Sequence, residues 1–322
     1  MTASNDPTLP VNTSNDAGRD SARIGIACGL TAYAMWGVLP LYFKLLKAVS
    51  PLDIVAHRVV WSMIALGVAA TLLRKWPAVR AALTDRAMRR LLMLTACLVA
   101  TNWSFYVYAI NSGHILAGSL GYYLNPLANI LLGRFVLGER LTRLQWSAVA
   151  IAAAGVAFLA LDALDTLWIS LTLCLSFATY GLLRKGAAVD SLSGLTVETI
   201  LLFPLAAAWL AWGWADGRAI VGNGGSELAL LALTGIVSTA PLLMFTEAAR
   251  RLRYATVGML QYIAPTLQFL IAVLVYHEPF GRSHAIAFAA IWLALAIYAA
   301  GSWRNSRQNG TNRALAECAE LG

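Results

Sequence analysis

The sequence predicts an all-helical integral membrane protein, with ten transmembrane helices arranged as two inverted repeats of five helices. Of the 322 residues, 59% are hydrophobic and only 12% are charged, whereas a soluble domain has roughly 25% charged residues. The chain also contains ten apolar runs, each near the roughly 20 residues that a membrane-spanning helix needs. Finally, a stretch of the first half is echoed in the second half, which indicates an internal repeat.

The repeat is clearest when Thr101–Glu139 is laid over Ala240–Glu278 without a gap. Both stretches contain two apolar runs joined by a polar link, and both close on a glutamate. Pro126 then aligns with Pro265 in the first half of the second run. We interpret this as an ancient duplication. Since each repeat holds an odd number of spans, the second copy is expected to enter the membrane upside down.

Helices are the expected spanning form because lipid offers backbone amides no hydrogen-bond partner. The predicted spans are 23–45, 54–73, 91–110, 116–136 and 144–161, followed by 167–184, 195–214, 228–248, 255–276 and 284–303. The predicted organisation is a disordered cytoplasmic tail (1–22), a first repeat (23–161), a second repeat (167–304) and a cytoplasmic C-terminal tail (305–322).

The distribution of basic residues predicts that both termini are cytoplasmic. With the N-terminus placed there, all of the 24 Lys and Arg residues fall on the cytoplasmic side except Lys44, Lys47, Arg58, Arg218 and Arg282. Short cytoplasmic loops carry such an excess in membrane proteins. The basic residues therefore indicate membrane orientation and no nucleic-acid partner.

Motifs for ATP hydrolysis or enzyme catalysis are not found in the sequence. It lacks a Walker A loop, an HExxH, a GxSxG and a GxGxxG after a strand. The four cysteines have no ligand spacing. We therefore predict a protein that is not an enzyme and that uses no cofactor and no metal.

Polar side chains form a stripe on the fourth predicted helix and an echo of it on the ninth. Tyr122, Asn125 and Asn129 fall on one helical face. Gln261 and Gln268 are the repeat partners of Tyr122 and Asn129. We predict that the two stripes face each other across a shared substrate cavity. The alternative is interhelical hydrogen bonding that holds the bundle together, worth about 0.6–2 kcal/mol per bond.

Three further residues are candidates because of their place in a span. Trp36 could stack on an aromatic or cationic substrate, although packing is an alternative. Pro126 and Pro265 predict kinks that free backbone carbonyls for a substrate or for gating. A kink that only shapes the helix is the alternative.

Charged residues within spans are costly and often functional. Arg58 and Lys44 are predicted toward the non-cytoplasmic side, and Glu198 and Glu247 toward the cytoplasm. If the repeat alignment is shifted by one further residue, Arg58 aligns with Glu198. We predict that Arg58 binds an anionic group and that Glu198 or Glu247 carries a coupling proton. For Lys44 the alternative is snorkelling, and for Glu247 it is pairing with an arginine three or four residues on.

Five motifs of the first half carry a resemblance to a known family: Trp36–Lys44 (WGVLPLYFK), Ser50–Pro51, His57–Ser62 (HRVVWS), Thr101–Trp103 (TNW) and Gly121–Leu127 (GYYLNPL). With these motifs the chain resembles the RarD (chloramphenicol-sensitive protein) group of the EamA family, in the drug/metabolite transporter superfamily, from about residue 23 to 304. The resemblance implies a bacterial inner-membrane permease with ten helices in two inverted EamA repeats.

These observations predict a secondary transporter of a small metabolite or drug-like molecule that works by alternating access. Its expected partners are a small-molecule substrate, the lipid bilayer and a coupling ion, for which protons are the candidate. A passive channel, a lipid scramblase and a non-transporting membrane sensor or assembly partner are the alternatives.

Overall fold

The chain folds into a bundle of helices. The computed structural model describes residues 13–46, 49–111, 115–217, 225–275, 285–287 and 289–301, and no β-strand occurs within these ranges. In chain order the helices are α1 (Thr13–Lys44), α2 (Pro51–Leu72), α3 (Trp76–Thr84), α4 (Arg86–Asn111), α5 (Ile115–Phe135), α6 (Arg143–Ala160), α7 (Leu167–Gly186), α8 (Ser191–Ala215), α9 (Gly225–Arg251), α10 (Tyr254–Gln261), α11 (Ile263–Leu274) and α12 (Ala285–Gly301). A 3₁₀ turn (Leu161–Thr166) joins α6 to α7.

Local sequence sets the starts of the helices that carry the charged candidates. Pro51 occupies the first turn of α2, where its missing N–H leaves no hydrogen bond unmade. Asp190 caps α8, accepting a hydrogen bond from the Ser193 backbone N–H at 3.1 Å. Such a cap satisfies one of the free donors at a helix start.

The observed helices lie close to the predicted spans, with three differences. α1 begins at Thr13, within the segment predicted as a disordered tail, and an Asp20–Arg23 ion pair at 3.6 Å lies along this extension. The short helix α3 occupies a segment predicted as a loop, because its apolar side packs on α4 and α8. The ninth predicted span is divided into α10 and α11.

The two repeat prolines have different effects on their helices. α5 runs through Pro126 without a break. In the second half the break falls at Tyr262, three residues before Pro265. Proline removes the donor that would bond the carbonyl four residues earlier, which here is the carbonyl of Gln261. The predicted interruption therefore occurs in the second copy, where it separates α10 from α11.

Five helical segments in the described part of the chain are long and apolar enough to cross a membrane: Asp20–Lys44, Pro51–Leu72, Leu164–Gly186, Ser191–Ala215 and Ser226–Arg251. Large apolar side chains on their outer faces are exposed; Leu205, for example, is 74% exposed. Lipid is the solvent that makes such a surface stable. The count of ten spans stays a prediction.

Packing between the two halves of the chain follows a paired pattern. Three contacts each have a counterpart. The α1–α9 contact corresponds to the α4–α7 contact, the α2–α9 contact to the α4–α8 contact, and the α5–α7 contact to the α1–α11 contact. α2 also packs on α8, and α5 on α10. This pattern results if α1, α2, α4 and α5 correspond to α7, α8, α9 and the α10–α11 pair.

Glycines allow the closest of these contacts. A Cβ atom on Gly25 or Gly29 of α1 would lie 2.9 Å from side chains of α9 or α10, so this GxxxG pair permits close approach. The tightest contact between α2 and α9 is at Gly235, where a Cβ would lie 2.5 Å from the backbone carbon of Trp61. A backbone atom cannot move aside as a flexible side chain can.

We predict that Gly235→Ala lowers the free energy of unfolding by about 1–3 kcal/mol, because an added methyl group overpacks the α2–α9 contact. Unfolding in mixed micelles containing SDS, followed by circular dichroism, measures the change. Gly67→Ala is the matched control, since a Cβ at Gly67 meets nothing within 4 Å. Equal stability of the two variants would contradict the prediction.

Candidate functional site

Arg58 lies among aromatic rings in the interior of the bundle. Its Nε donates a hydrogen bond to Ser238 Oγ of α9 at 2.7 Å. Its guanidinium carbon lies 4.4 Å from the centre of the Trp103 ring and 5.8 Å from that of Phe43. Aromatic faces attract a cation at such distances. Arg58 was predicted from the sequence as a site residue, whereas its partners Trp103 and Ser238 were not.

Three tyrosines complete the surroundings of this guanidinium. Tyr42, Tyr106 and Tyr122 lie close enough to Arg58 to interact with its charge, and the rings of Tyr106 and Tyr122 are 5.5 Å apart. Within the residues that the structure describes, no carboxylate forms an ion pair with Arg58. A half-buried cation without a counter-ion can accept an anion.

Asn125 lies one helical turn from Tyr122 on the predicted inward face of α5. The residue is fully buried, and its amide nitrogen and oxygen both lack a hydrogen-bond partner among the described residues. Buried amides are usually satisfied by protein or by ordered water. Asn125 therefore offers a donor and an acceptor beside Tyr122.

The two predicted amide stripes meet where α5 crosses α10. Asn129 Nδ2 donates to Gln261 Oε1 at 2.8 Å, and both side chains are buried. A Cβ on Gly258 would lie 2.6 Å from the carbonyl oxygen of Pro126, so the two helices are in close contact here. The two stripes therefore touch at this point, and the predicted shared substrate cavity stays a prediction. Since these two amides bond each other, this pair holds the helices together, as the alternative reading expects.

Gln268 and Trp36 form a second link between the halves. Gln268 Nε2 donates to the backbone carbonyl of Trp36 at 3.1 Å. The Trp36 ring lies 5.6 Å from Tyr33, 5.7 Å from Phe177 and 5.8 Å from Phe245. These contacts indicate that Trp36 and Gln268 pack α1 against α7, α9 and α11. Their contribution to substrate binding stays a prediction.

Glu198 is fully buried and forms an ion pair with Arg184, with Nε and Oε1 3.5 Å apart. Thr95 and Tyr180 donate hydrogen bonds to its carboxylate at 2.6 and 3.2 Å. Arg184 is itself fully buried, whereas the sequence analysis counted it among the cytoplasmic charges. It lies in the last turn of α7, where its long side chain points back into the bundle.

Glycine at position 194 makes room for this arginine. A Cβ on Gly194 would lie 2.0 Å from Nη1 of Arg184, so any larger residue would displace the guanidinium. Arg184 Nη2 also donates to the backbone carbonyl of Ser191 at 3.2 Å. The start of α8 is thus shaped around the side chain that neutralises Glu198.

Glu247 is paired, as its alternative reading expected. Arg251 Nε donates to its carboxylate at 2.6 Å, at the i+4 position, and Ser191 Oγ donates at 2.8 Å. Ser191 therefore connects the Glu198–Arg184 pair to the Glu247–Arg251 pair. This chain of polar contacts joins α7, α8 and α9.

Further polar contacts fasten the same end of the bundle. Lys185 at the end of α7 donates to backbone carbonyls of Ala249 and Leu252 near the end of α9. Arg250 of α9 donates to carbonyls just beyond α7. Glu139, the glutamate that closes the first repeat stretch, accepts hydrogen bonds from backbone N–H groups at the start of α10. Glu278 lies outside the described residues.

The first half carries different residues at the positions of this neutral pair. At the offset that aligns Arg58 with Glu198, Lys44 aligns with Arg184. Lys44 is the last residue of α1 and is exposed. Corresponding positions therefore hold two cations in one half and an ion pair in the other.

Comparison with known proteins places these features in context. The EamA-like transporter family matches residues 23–161 and 166–300. An "Uncharacterized transporter" of Vibrio cholerae is 46% identical over 87% of this chain and 93% of its own length. "Protein RarD" of Salmonella typhimurium is 45% identical over 86% and 94%, and "Chloramphenicol-sensitive protein RarD" of Pseudomonas aeruginosa is 38% identical over 85% and 92%. One solved crystal structure, at 22% identity, has a TM-score of 0.66 over 85% of this chain and 96% of its own, which supports the fold alone.

We predict that Arg184→Met lowers the free energy of unfolding by about 3–5 kcal/mol, because it leaves the buried Glu198 carboxylate without its cation. The double variant Arg184→Met with Glu198→Gln should recover most of the loss, since glutamine still accepts from Thr95 and Tyr180. Unfolding in mixed micelles measures both variants.

Arg251→Met is the matched control, because it breaks the partly exposed pair with Glu247 and should change stability by about 1 kcal/mol or less. A single Arg184→Met variant as stable as this control, or a double variant no more stable than the single one, would contradict the prediction.

Proposed function

Because the chain belongs to the EamA-like transporter family, we propose that it is a secondary transporter that moves a small anionic molecule across the bacterial inner membrane by alternating access. The proposed carrier consists of two inverted repeats of five spans each, with both termini in the cytoplasm. The observation that carries the proposal is Arg58, a half-buried guanidinium surrounded by aromatic rings and lacking a carboxylate partner among the described residues.

The proposed repeat architecture is supported by two independent observations. The family matches the chain twice, once in each half. Contacts between the halves also come in corresponding pairs. In addition, α2 packs on its own counterpart α8, and α5 packs on its own counterpart α10. A two-fold relation between the repeats produces such a pattern, and inverted repeats with a site between them are common in secondary transporters.

The proposed substrate site lies between α2, α4, α5 and α9. Arg58 would bind the anionic group, and Tyr122 and Asn125 would donate or accept hydrogen bonds one turn further along α5. Arginine suits this task because its planar fork matches carboxylate and phosphate oxygens. Asn129 and Gln261 would close the far side of the site through their mutual hydrogen bond.

The proposed gate is the polar network around Glu198 and Arg184 at the other end of α2 and α8. The network joins α4, α7, α8 and α9, and we propose that it closes that end of the bundle in this conformation. To expose the site there, the carrier must separate these groups. Protonation of Glu198 would remove the charge that holds Arg184, which makes this carboxylate the proposed link to a proton gradient.

The proposed gate at this end argues against a passive channel that is open on both sides at once. A carrier must change conformation for each molecule it moves, so its flux saturates with substrate. Flux into proteoliposomes that saturates and depends on an imposed gradient therefore distinguishes the proposed carrier from a channel or a scramblase.

We predict that Arg58→Ala weakens binding of the anionic ligand by about 10–150-fold, which corresponds to losing a hydrogen bond to a charged group. A thermal-shift screen of organic carboxylates and phosphate esters on detergent-purified protein identifies the ligand, because binding raises the midpoint. Chloramphenicol belongs in the screen because it appears in the name of the Pseudomonas relative.

Arg58→Lys keeps the charge but loses the planar fork, so its affinity should fall between that of the wild type and that of Arg58→Ala. Arg23→Ala is the control, since Arg23 is exposed at the start of the bundle. Unchanged affinity in Arg58→Ala, measured with the ligand found for the wild type, would remove Arg58 from the site.

A further inference from the structure

A groove with a volume of about 540 Å³ runs along the outer face of α2. Its walls are formed by α2, by Phe203 of α8 and by Trp76 at the start of α3. The lining is apolar apart from Thr71, and it includes none of the residues assigned above to substrate binding or gating. The groove is therefore a separate feature of the molecule.

Two hydrogen bonds hold the Trp76 ring at one end of the groove. Its indole N–H donates to Thr71 Oγ1 at 2.9 Å, and the Thr71 hydroxyl donates to the carbonyl of Gly67 at 2.8 Å. Gly67 itself leaves the middle of the groove open, because a Cβ there would meet nothing within 4 Å. The groove is therefore open and apolar along α2, and the Trp76 ring is held in place at one end of it.

The length of the groove matches one leaflet of a bilayer. Its α2 wall extends from Val60 to Leu72, which at a helical rise of 1.5 Å per residue is about 18 Å. Half of a hydrocarbon core of roughly 30 Å is about 15 Å. A tryptophan at the end of such a groove also lies where interfacial aromatics are found.

Basic residues are concentrated in the chain segment that follows α2 and contains Trp76. The segment from residue 74 to residue 90 contains one acidic residue, Asp85, and six basic ones: Arg74, Lys75, Arg80, Arg86, Arg89 and Arg90. Arg74 directly follows the last turn of α2, and Arg80 lies one turn beyond Trp76 on the same side of α3. Both are exposed, and neither forms an ion pair within the described residues.

We propose that this groove binds an anionic phospholipid, with one acyl chain lying along α2 and the phosphate group held by Arg74 and Arg80. The apolar floor, the leaflet-long wall, the tryptophan and the two unpaired arginines each match a part of such a lipid. Basic residues next to a membrane surface attract anionic headgroups. Every one or two such charges raise the affinity by about one order of magnitude. The proposal does not depend on the transported substrate.

The test uses detergent-purified full-length protein and native mass spectrometry with two added lipids, phosphatidylglycerol and phosphatidylcholine, that have the same acyl chains. We expect the wild type to retain one phosphatidylglycerol in preference to phosphatidylcholine. Arg74→Gln with Arg80→Gln should weaken phosphatidylglycerol binding by about 30-fold. Gly67→Leu should weaken binding of either lipid by at least about tenfold, because the side chain fills the groove.

Matched controls separate a specific site from general attraction. Arg86→Gln with Arg90→Gln removes the same charge from the first turn of α4 and should leave the preference intact. Gly67→Ala should retain the lipid. If Gly67→Leu fails to fold, Ile64→Trp fills the same groove from an exposed position.

Three outcomes would overturn the proposal. Equal retention of the two lipids by the wild type would show ordinary annular lipid only. An equal loss in the two double-arginine variants would show diffuse charge attraction. Unchanged binding in the groove-filling variants would show that the acyl chain lies elsewhere.

Discussion

The ion pair between Glu198 and Arg184 constrains the arrangement of one whole end of the bundle. Removing two charges from water costs several kcal/mol per ion, and only close partners offset that. Glu198 has them in Arg184, Thr95 and Tyr180. These partners come from α4 and α7 while the carboxylate belongs to α8, so the three helices cannot separate without exposing a charge to an apolar interior. The lack of a side chain on Gly194 is part of the same arrangement.

Corresponding positions in the two halves have opposite electrostatic environments. Arg58 aligns with Glu198 and Lys44 with Arg184, so the spacing between the two charged positions is the same in both halves. The second half neutralises its charges internally, whereas the first half leaves a cation among aromatic rings. A two-fold scaffold alone would make the two ends of the bundle equivalent. The charges remove that equivalence, as a substrate site at one end and a gate at the other would require.

Most of the helices could be predicted from the sequence, because hydropathy and helical periodicity determine them. The same periodicity placed Asn129 and Gln261 on facing stripes, but their direct hydrogen bond depends on how closely α5 and α10 approach. Burial of Arg184 could not be predicted in this way, since a basic residue at a span end looks the same whether it points to water or folds back inward. The partners of Arg58 were missed because Trp103 and Ser238 lie on other helices, far away in the chain. α3 was missed because its apolar side is too short to stand out from the surrounding basic residues.

α2 connects the proposed substrate site with the proposed lipid site, because it presents Arg58 and Ser62 to α9 and Gly67 and Thr71 to the groove. A ligand shifts a conformational equilibrium only when its affinity differs between the two states. The groove is built from α2, α8 and α3, and alternating access requires α2 to move relative to α9. If α3 and α8 follow that movement, the groove keeps its shape and the lipid only stabilises the fold. If they do not, the groove changes shape between states, and the lipid composition of the membrane then sets which side of the carrier is open.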